Sequence, residues 1–158
     1  MKKLLLAIVL LSATLNAQER VSISFYQDAK FLIQGDKERG YEAGTLNIVL
    51  RLNMQGNQEK YGYMIASPEF EYADIDGVYK RYSANFGYVF NELVIPRVEI
   101  GATVGYGFIQ RWDISPTSFS ASGLLNYKVT DRLKISMMAQ FTERKDLKLA
   151  YGKNEIRF

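Results

Sequence analysis

The sequence predicts an all-β fold: one domain of eight antiparallel strands in up-and-down order, curled into a barrel. Three observations carry this. Apolar and polar residues alternate with a period of two through most of the chain, as in strands with two unlike faces. The alternating segments number eight and most run about 10 to 13 residues, longer than the roughly 5 to 6 of an ordinary globular strand. Turn signals separate them, such as Gln-Gly-Asn-Gln-Glu-Lys at 55–60, Asp-Ile-Asp-Gly at 74–77 and Thr-Asp-Arg at 130–132.

The chain opens with MKKLLLAIVLLSATLNAQ. Lys2 and Lys3 precede an unbroken apolar run from Leu4 to Leu11, and small residues lead to Ala17. This is the pattern of a secretory signal peptide over residues 1–17, cleaved after Ala17, and the run is shorter than the roughly 20 apolar residues of a spanning helix. Residues 18–158 then form the barrel. Removing the leader takes away Lys2 and Lys3 and no acid, which leaves 18 basic and 17 acidic residues, a formal charge of +1. Such a balance, without a basic cluster, gives no reason to expect nucleic acid as a partner.

Residues 20–27 place Val21, Ile23 and Phe25 on one face. The long connection DAKFLIQGDKERGYEA follows. Residues 44–54 set Leu46, Ile48, Leu50, Leu52 and Met54 against Thr45, Asn47, Arg51 and Asn53. Residues 61–72 set Met64, Ala66, Phe70 and Tyr72 against Ser67, Glu69 and Glu71, with Pro68 interrupting the ladder. Residues 81–91 set Tyr82, Ala84, Phe86, Tyr88 and Phe90 against Arg81, Ser83, Asn85 and Gly87. In 97–111, Val98, Ile100, Ala102, Val104, Tyr106 and Phe108 oppose Arg97, Glu99, Gly101, Thr103, Gly105, Gly107 and Arg111, with Ile109 the one apolar intruder. Residues 118–129 set Phe119, Ala121, Leu125, Tyr127 and Val129 against Ser118, Ser120, Ser122, Asn126 and Lys128. Residues 133–142 set Leu133, Ile135, Met137, Ala139 and Phe141 against Lys134, Ser136, Gln140 and Thr142. In the last segment, 147–158, Leu147, Leu149 and Tyr151 share one parity and Ile156 and Phe158 the other. A one-residue bulge near Gly152 to Asn154 would bring both groups to one face.

The polar face decides which way the barrel is turned. It is rich in small residues such as Gly101, Gly105, Gly107, Ser120 and Ser122, which suit the cramped lumen of an eight-stranded barrel. Strands of this length also match the roughly 9 to 11 residues that a tilted strand needs to cross a bilayer. Tyr and Phe gather near strand ends on the apolar face, in the manner of interfacial girdles. The apolar face is therefore expected to look outward, which makes this a transmembrane β-barrel. Leu50, Ile100, Val104, Leu125 and Ile135 are expected to face lipid. The alternative is a soluble secreted or periplasmic barrel of the lipocalin kind, with the apolar face inward around a small apolar ligand.

The chain has no histidine and no cysteine. That removes Ser-His-Asp and Cys-His catalysis, the commonest metal ligand, disulfides and zinc-thiolate sites. No catalytic residue, cofactor or metal is expected. Glu69 and Glu71 point the same way from one strand, which suits lumen charges in need of basic partners better than an acid–base pair. Asp74 to Gly77 has the opening of a calcium loop without its remaining ligands and reads as a turn. Trp112 reads as an interfacial anchor.

The ending Asn-Glu-Ile-Arg-Phe, with Ile156 and Phe158 at the third-last and last positions, resembles the C-terminal insertion signal of outer-membrane barrels. With the leader, the eight segments and the girdles, the whole of residues 18–158 resembles the small eight-stranded outer-membrane β-barrels of the OmpA/OmpX type. The resemblance implies a non-enzymatic protein of the outer membrane of a Gram-negative bacterium, with a structural, adhesion or interaction role. It implies outer-membrane lipid and lipopolysaccharide as surroundings, and the barrel-assembly machinery as a partner reached through the C-terminal strand. The termini are then periplasmic, with the turns at 55–60, 91–97 and 130–132. The segments around Asp36, Asp76, Asp113 and Lys145 are extracellular.

Lumen charges must pair, because an unpaired buried ion is very costly. A hairpin turning at Asp76 sets Glu71 opposite Arg81. Arg111 is expected to join Glu69 and Glu71 in one cluster. A second cluster is expected at the other end, with Glu99 among Arg51, Arg97, Lys128 and Lys134.

Overall fold

A computed structural model describes residues 20–35, 42–74, 77–91, 95–130, 132–151 and 156–157. The elements are β1 (Arg20–Gln27), α1 (Ala29–Ile33), β2 (Asn47–Gln55), β3 (Gly62–Asp74), β4 (Val78–Asn91), β5 (Val98–Gln110), β6 (Thr117–Lys128), β7 (Lys134–Glu143), α2 (Lys145–Tyr151) and β8 (Ile156–Arg157). The strands form one antiparallel sheet in chain order, each beside the next. The sheet curls into a half-barrel. One end carries α1, the end of β3 and start of β4, the β5–β6 turn and α2; the other carries residues 56–61, 95–97 and 129–130 and the start of β1. The leader at 1–17, the segments at Asp36 and Asp76, and Phe158 lie outside the described residues.

The period-two pattern governs which residues are inside. Ile23 is 72% exposed and Val104 53%, whereas Arg81 and Arg51 are 0% and 1% exposed. Leu50, Ile100, Leu125 and Ile135 are also exposed on the outer face. Among the described residues, two small clusters of buried apolar side chains lie near the ends. Phe31, Ala73, Tyr79 and Ile109 pack at the helix end, and Tyr63, Ile65 and Val89 at the other. The Ile109 side chain, out of pattern in the sequence, faces inward because it completes the first of these.

The β3–β4 hairpin keeps one register over its full length, residue numbers in every pair adding up to 152, from Gly62↔Phe90 to Asp74↔Val78. In the β2–β3 pair the numbers add up to 120, and Leu52 and Asn53 alone drop out of an otherwise continuous register, opposite Pro68 and Ser67. Proline has no N–H to give the ladder. Side chains bridge the gap: Ser67 Oγ donates to Asn53 Oδ1 at 2.8 Å, and Asn85 Nδ2 donates to the Ser67 carbonyl at 3.2 Å.

Two elements differ from the sequence prediction. The connection after β1 contains a short helix, α1, capped by Asp28, whose carboxylate accepts the Phe31 N–H at 3.2 Å. The segment 147–158, predicted as the eighth strand, instead begins in α2, and its described residues have strand structure at Ile156–Arg157, opposite Glu143 and Thr142. The run Lys-Asp-Leu-Lys-Leu-Ala at 145–150 favours helix on intrinsic grounds, with no β-branched residue. Asp146 sits in its first turn, where an acid is favourable. Among the described residues β1 pairs only with β2, so the described sheet is a half-barrel and not the full barrel the sequence predicts.

Candidate functional site: the charged lumen

The inward side chains stack in layers between the two ends. At the helix end, Arg111 NH1 lies 3.3 Å from Asp146 Oδ2, and Arg144 binds the same carboxylate through two bonds of 2.9 and 2.6 Å. The Arg144 guanidinium covers the Tyr79 ring at 4.4 Å, and Tyr79 O–H donates to Glu71 at 3.2 Å. Asp146 thus ties α2 to the tip of β5 and to the end of β7.

The next layer centres on Glu69. It accepts Arg51 Nε, Arg81 NH1 at 2.6 Å, Ser83 Oγ at 3.2 Å and Gln140 Nε2 at 3.2 Å. Arg81 also reaches Ser118 and Ser120, at 3.3 and 2.7 Å, and Arg51 reaches Ser122 at 3.0 Å. The serines predicted only as small lumen residues thus serve as the acceptors of both guanidiniums across the barrel. Below lie Asn53, Ser67 and Asn85. Near the other end Glu99 pairs with Lys134 at 2.8 Å and Lys128 at 3.2 Å, and accepts Tyr63 O–H at 3.2 Å.

Several expected pairings change. Glu71 and Arg81 are register partners, but Arg81 makes its ion pair with Glu69, because Ser83 opposite Glu69 leaves room for a long side chain. Arg111 joins Asp146, not Glu69 and Glu71. Arg51 lies directly across β2–β3 from Glu69 and does not join Glu99. Arg97 is exposed in the turn before β5 at φ 68°, outside the Glu99 cluster, and its carbonyl accepts Lys128 N–H at 2.9 Å. Lys128 and Lys134 do meet Glu99. Asp146, Arg144, Tyr79 and Tyr63 were missed. The Arg51–Glu69 pair had a signal: a hairpin centred on Lys60 sets those two residues face to face. Ile156 lies in β8, and Phe158 is outside the described residues.

The middle of the lumen is full at Gly105. A Cβ there would overlap Asn85 Oδ1 and stand 2.6 Å from Ser120 Oγ. Asn85 cannot swing aside without losing its bond to the Ser67 carbonyl. Gly105→Ala is therefore expected to lower stability by about 1 to 3 kcal/mol through overpacking, read as a lower urea midpoint.

The Asp146 layer should respond to acid. Burial raises its carboxyl pKa, but the bonds and charge of Arg144, then those of Arg111, outweigh burial and hold it below the ordinary value. Its contribution is thus present above the unfolded Asp pKa of about 3.9 and is lost as pH falls through the lower folded value. Trp112, the single tryptophan, lies 3.9 Å from the Arg111 guanidinium and reports on this layer. Its emission should shift below about pH 4, and Asp146→Asn should hold it at the low-pH value throughout.

Among the described residues no group of acids could hold a metal ion. No protein-family model, curated protein or solved structure matches the chain.

Proposed function

We propose that the chain is a non-enzymatic integral β-barrel of the outer membrane of a Gram-negative bacterium, eight-stranded in the bilayer, with a structural, adhesion or interaction role. The observation that carries the reading is the inverted burial: an exposed apolar sheet face around a lumen of paired charges. In water this arrangement wastes the hydrophobic effect, whereas in hydrocarbon it is the favourable one. The Glu69 and Glu99 layers set bonded side chains across the lumen, which supports a plugged interior over a diffusion pore. Those carboxylates are engaged with Arg and Lys and are poorly placed for acid–base chemistry. The soluble lipocalin-like alternative requires the apolar face inside, against the burial described above.

The test is the solvent the mature chain needs. It should stay monodisperse only in detergent or lipid and migrate differently on gels with and without boiling. A chain that is folded and monodisperse in plain buffer would exclude the membrane reading and favour the lipocalin-like one.

A further inference from the structure

We infer that α2 and an eighth full-length strand are alternative states of the same residues: the slot between β1 and β7 is the docking site of residues 147–158, and the Arg111–Asp146–Arg144 cluster holds them out of it. The inference rests on the membrane reading above, since only in lipid must both strand edges be paired.

The slot is a pair of cavities along the seam. One, of about 680 Å³, is bordered by Val21 to Tyr26 of β1 and by Lys134 and Ser136 of β7. The other, of about 860 Å³, is bordered by Phe25 to Gln27 and by Ser136 to Thr142. Among the described residues, pairing on the seam side of β7 occurs at Thr142 and Glu143 alone. Buried side-chain oxygens of Asn126, in the first cavity, and of Asn47 and Thr103, in the second, have no hydrogen-bond partner. Among the described residues the seam therefore has room, and unsatisfied polar groups, that a strand could fill.

The chain's own segment suits it better than a second copy. Residues 147–158 are tethered to β7 through Arg144, so their effective concentration at the slot is high. Their length matches the 10 residues of β7, and β8 already lies on the right edge. With a hairpin at Lys145 and one bulge at 152–154, Leu147, Leu149, Tyr151, Ile156 and Phe158 all face outward. Ile156 then lies beside Ile135, and Glu155 enters the lumen near Lys134. That state cannot coexist with α2, whose Leu147 is buried at the helix end and whose Asp146 is bound by Arg144 and Arg111.

The chain has no cysteine, so introduced pairs report the register cleanly. Ile156→Cys with Glu143→Cys reads the register seen here, and Ile156→Cys with Ile135→Cys reads the closed strand. Ile156→Cys with Lys134→Cys covers a closed strand without the bulge. Positions 143 and 135 stand about 26 Å apart at 3.3 Å per residue, so one cysteine cannot serve both. The full-length mature chain is added to phosphatidylcholine vesicles, oxidised and floated. A disulfide from 156 to 135 or 134 in the floated protein, formed faster when Asp146→Asn is added, is the expected result. Floated protein that links 156 only to 143, or to none of these positions, overturns the inference and leaves the membrane reading standing. Protein that does not float overturns that reading itself.

Discussion

Glu69→Ala is expected to cost about 3 to 5 kcal/mol of folding stability, the usual effect of removing one side of a buried ion pair. Glu69 is the anion shared by Arg51 and Arg81, both almost wholly buried. Without it the two guanidiniums lose their shared carboxylate and keep as hydrogen-bond acceptors Ser118, Ser120 and Ser122. Their repulsion adds to the lost bonds. Glu69→Gln keeps the shape and two bonding atoms but removes the charge, so it should fall between the parent and alanine. Replacing Arg51, Glu69 and Arg81 together by Met, Met and Leu should be far milder, because exchanging a whole buried ionic group for apolar volume is often close to neutral. Urea unfolding of the chain refolded in vesicles gives all three numbers. If Glu69→Ala unfolds at the parent's midpoint, the Glu69 layer does not hold the barrel together.

The faces and the central register were legible because both depend on short-range rules. A period of two fixes the side of every residue from Val98 to Phe108, and a turn at Asp76 fixes Glu71 opposite Arg81. Ion-pair choice is not short-range. Arg81 has a carboxylate directly opposite yet extends to Glu69, because small neighbours at Ser83, Ser118 and Ser120 open a path for its guanidinium. That path depends on how β6 curls toward β3, which no single strand encodes. The two helices were illegible for another reason. Five and seven residues make two turns at most, too few for a 3.6-residue period to show. In α2 the alternation of Leu147 and Leu149 fits a strand as well as a helix, and Asp146 with its two arginine partners tips the balance toward helix. The apolar inward residues, Ile109 and Leu124 among them, break the alternation in sequence because they are buried inside, Ile109 in the cluster with Phe31, Ala73 and Tyr79.

Val104→Arg is expected to destabilise the protein in lipid by about 2 to 4 kcal/mol, the cost of a cation on the lipid face of a barrel at mid-depth. Val104 is the central residue of β5, six positions from Val98 and six from Gln110. Its neighbours across the sheet are Phe86 and Ala121, both on the outer face, and no acid among them could pair with an arginine there. In water the same substitution would place a charge on an exposed surface and cost little, so the penalty should appear only in lipid. Thr103→Arg is the control from the next position. Thr103 is buried between Gly87 and Ser122, and a long side chain there collides with the lumen wall whatever surrounds the barrel. Its loss of stability should therefore be the same in detergent and in vesicles. Ile100→Arg lies nearer a strand end, where an arginine can reach the interface, and its cost should be smaller than that of Val104→Arg. Unfolding midpoints in vesicles should rank parent, Ile100→Arg and Val104→Arg in descending order. A Val104→Arg chain as stable in vesicles as the parent would mean that this face does not meet hydrocarbon.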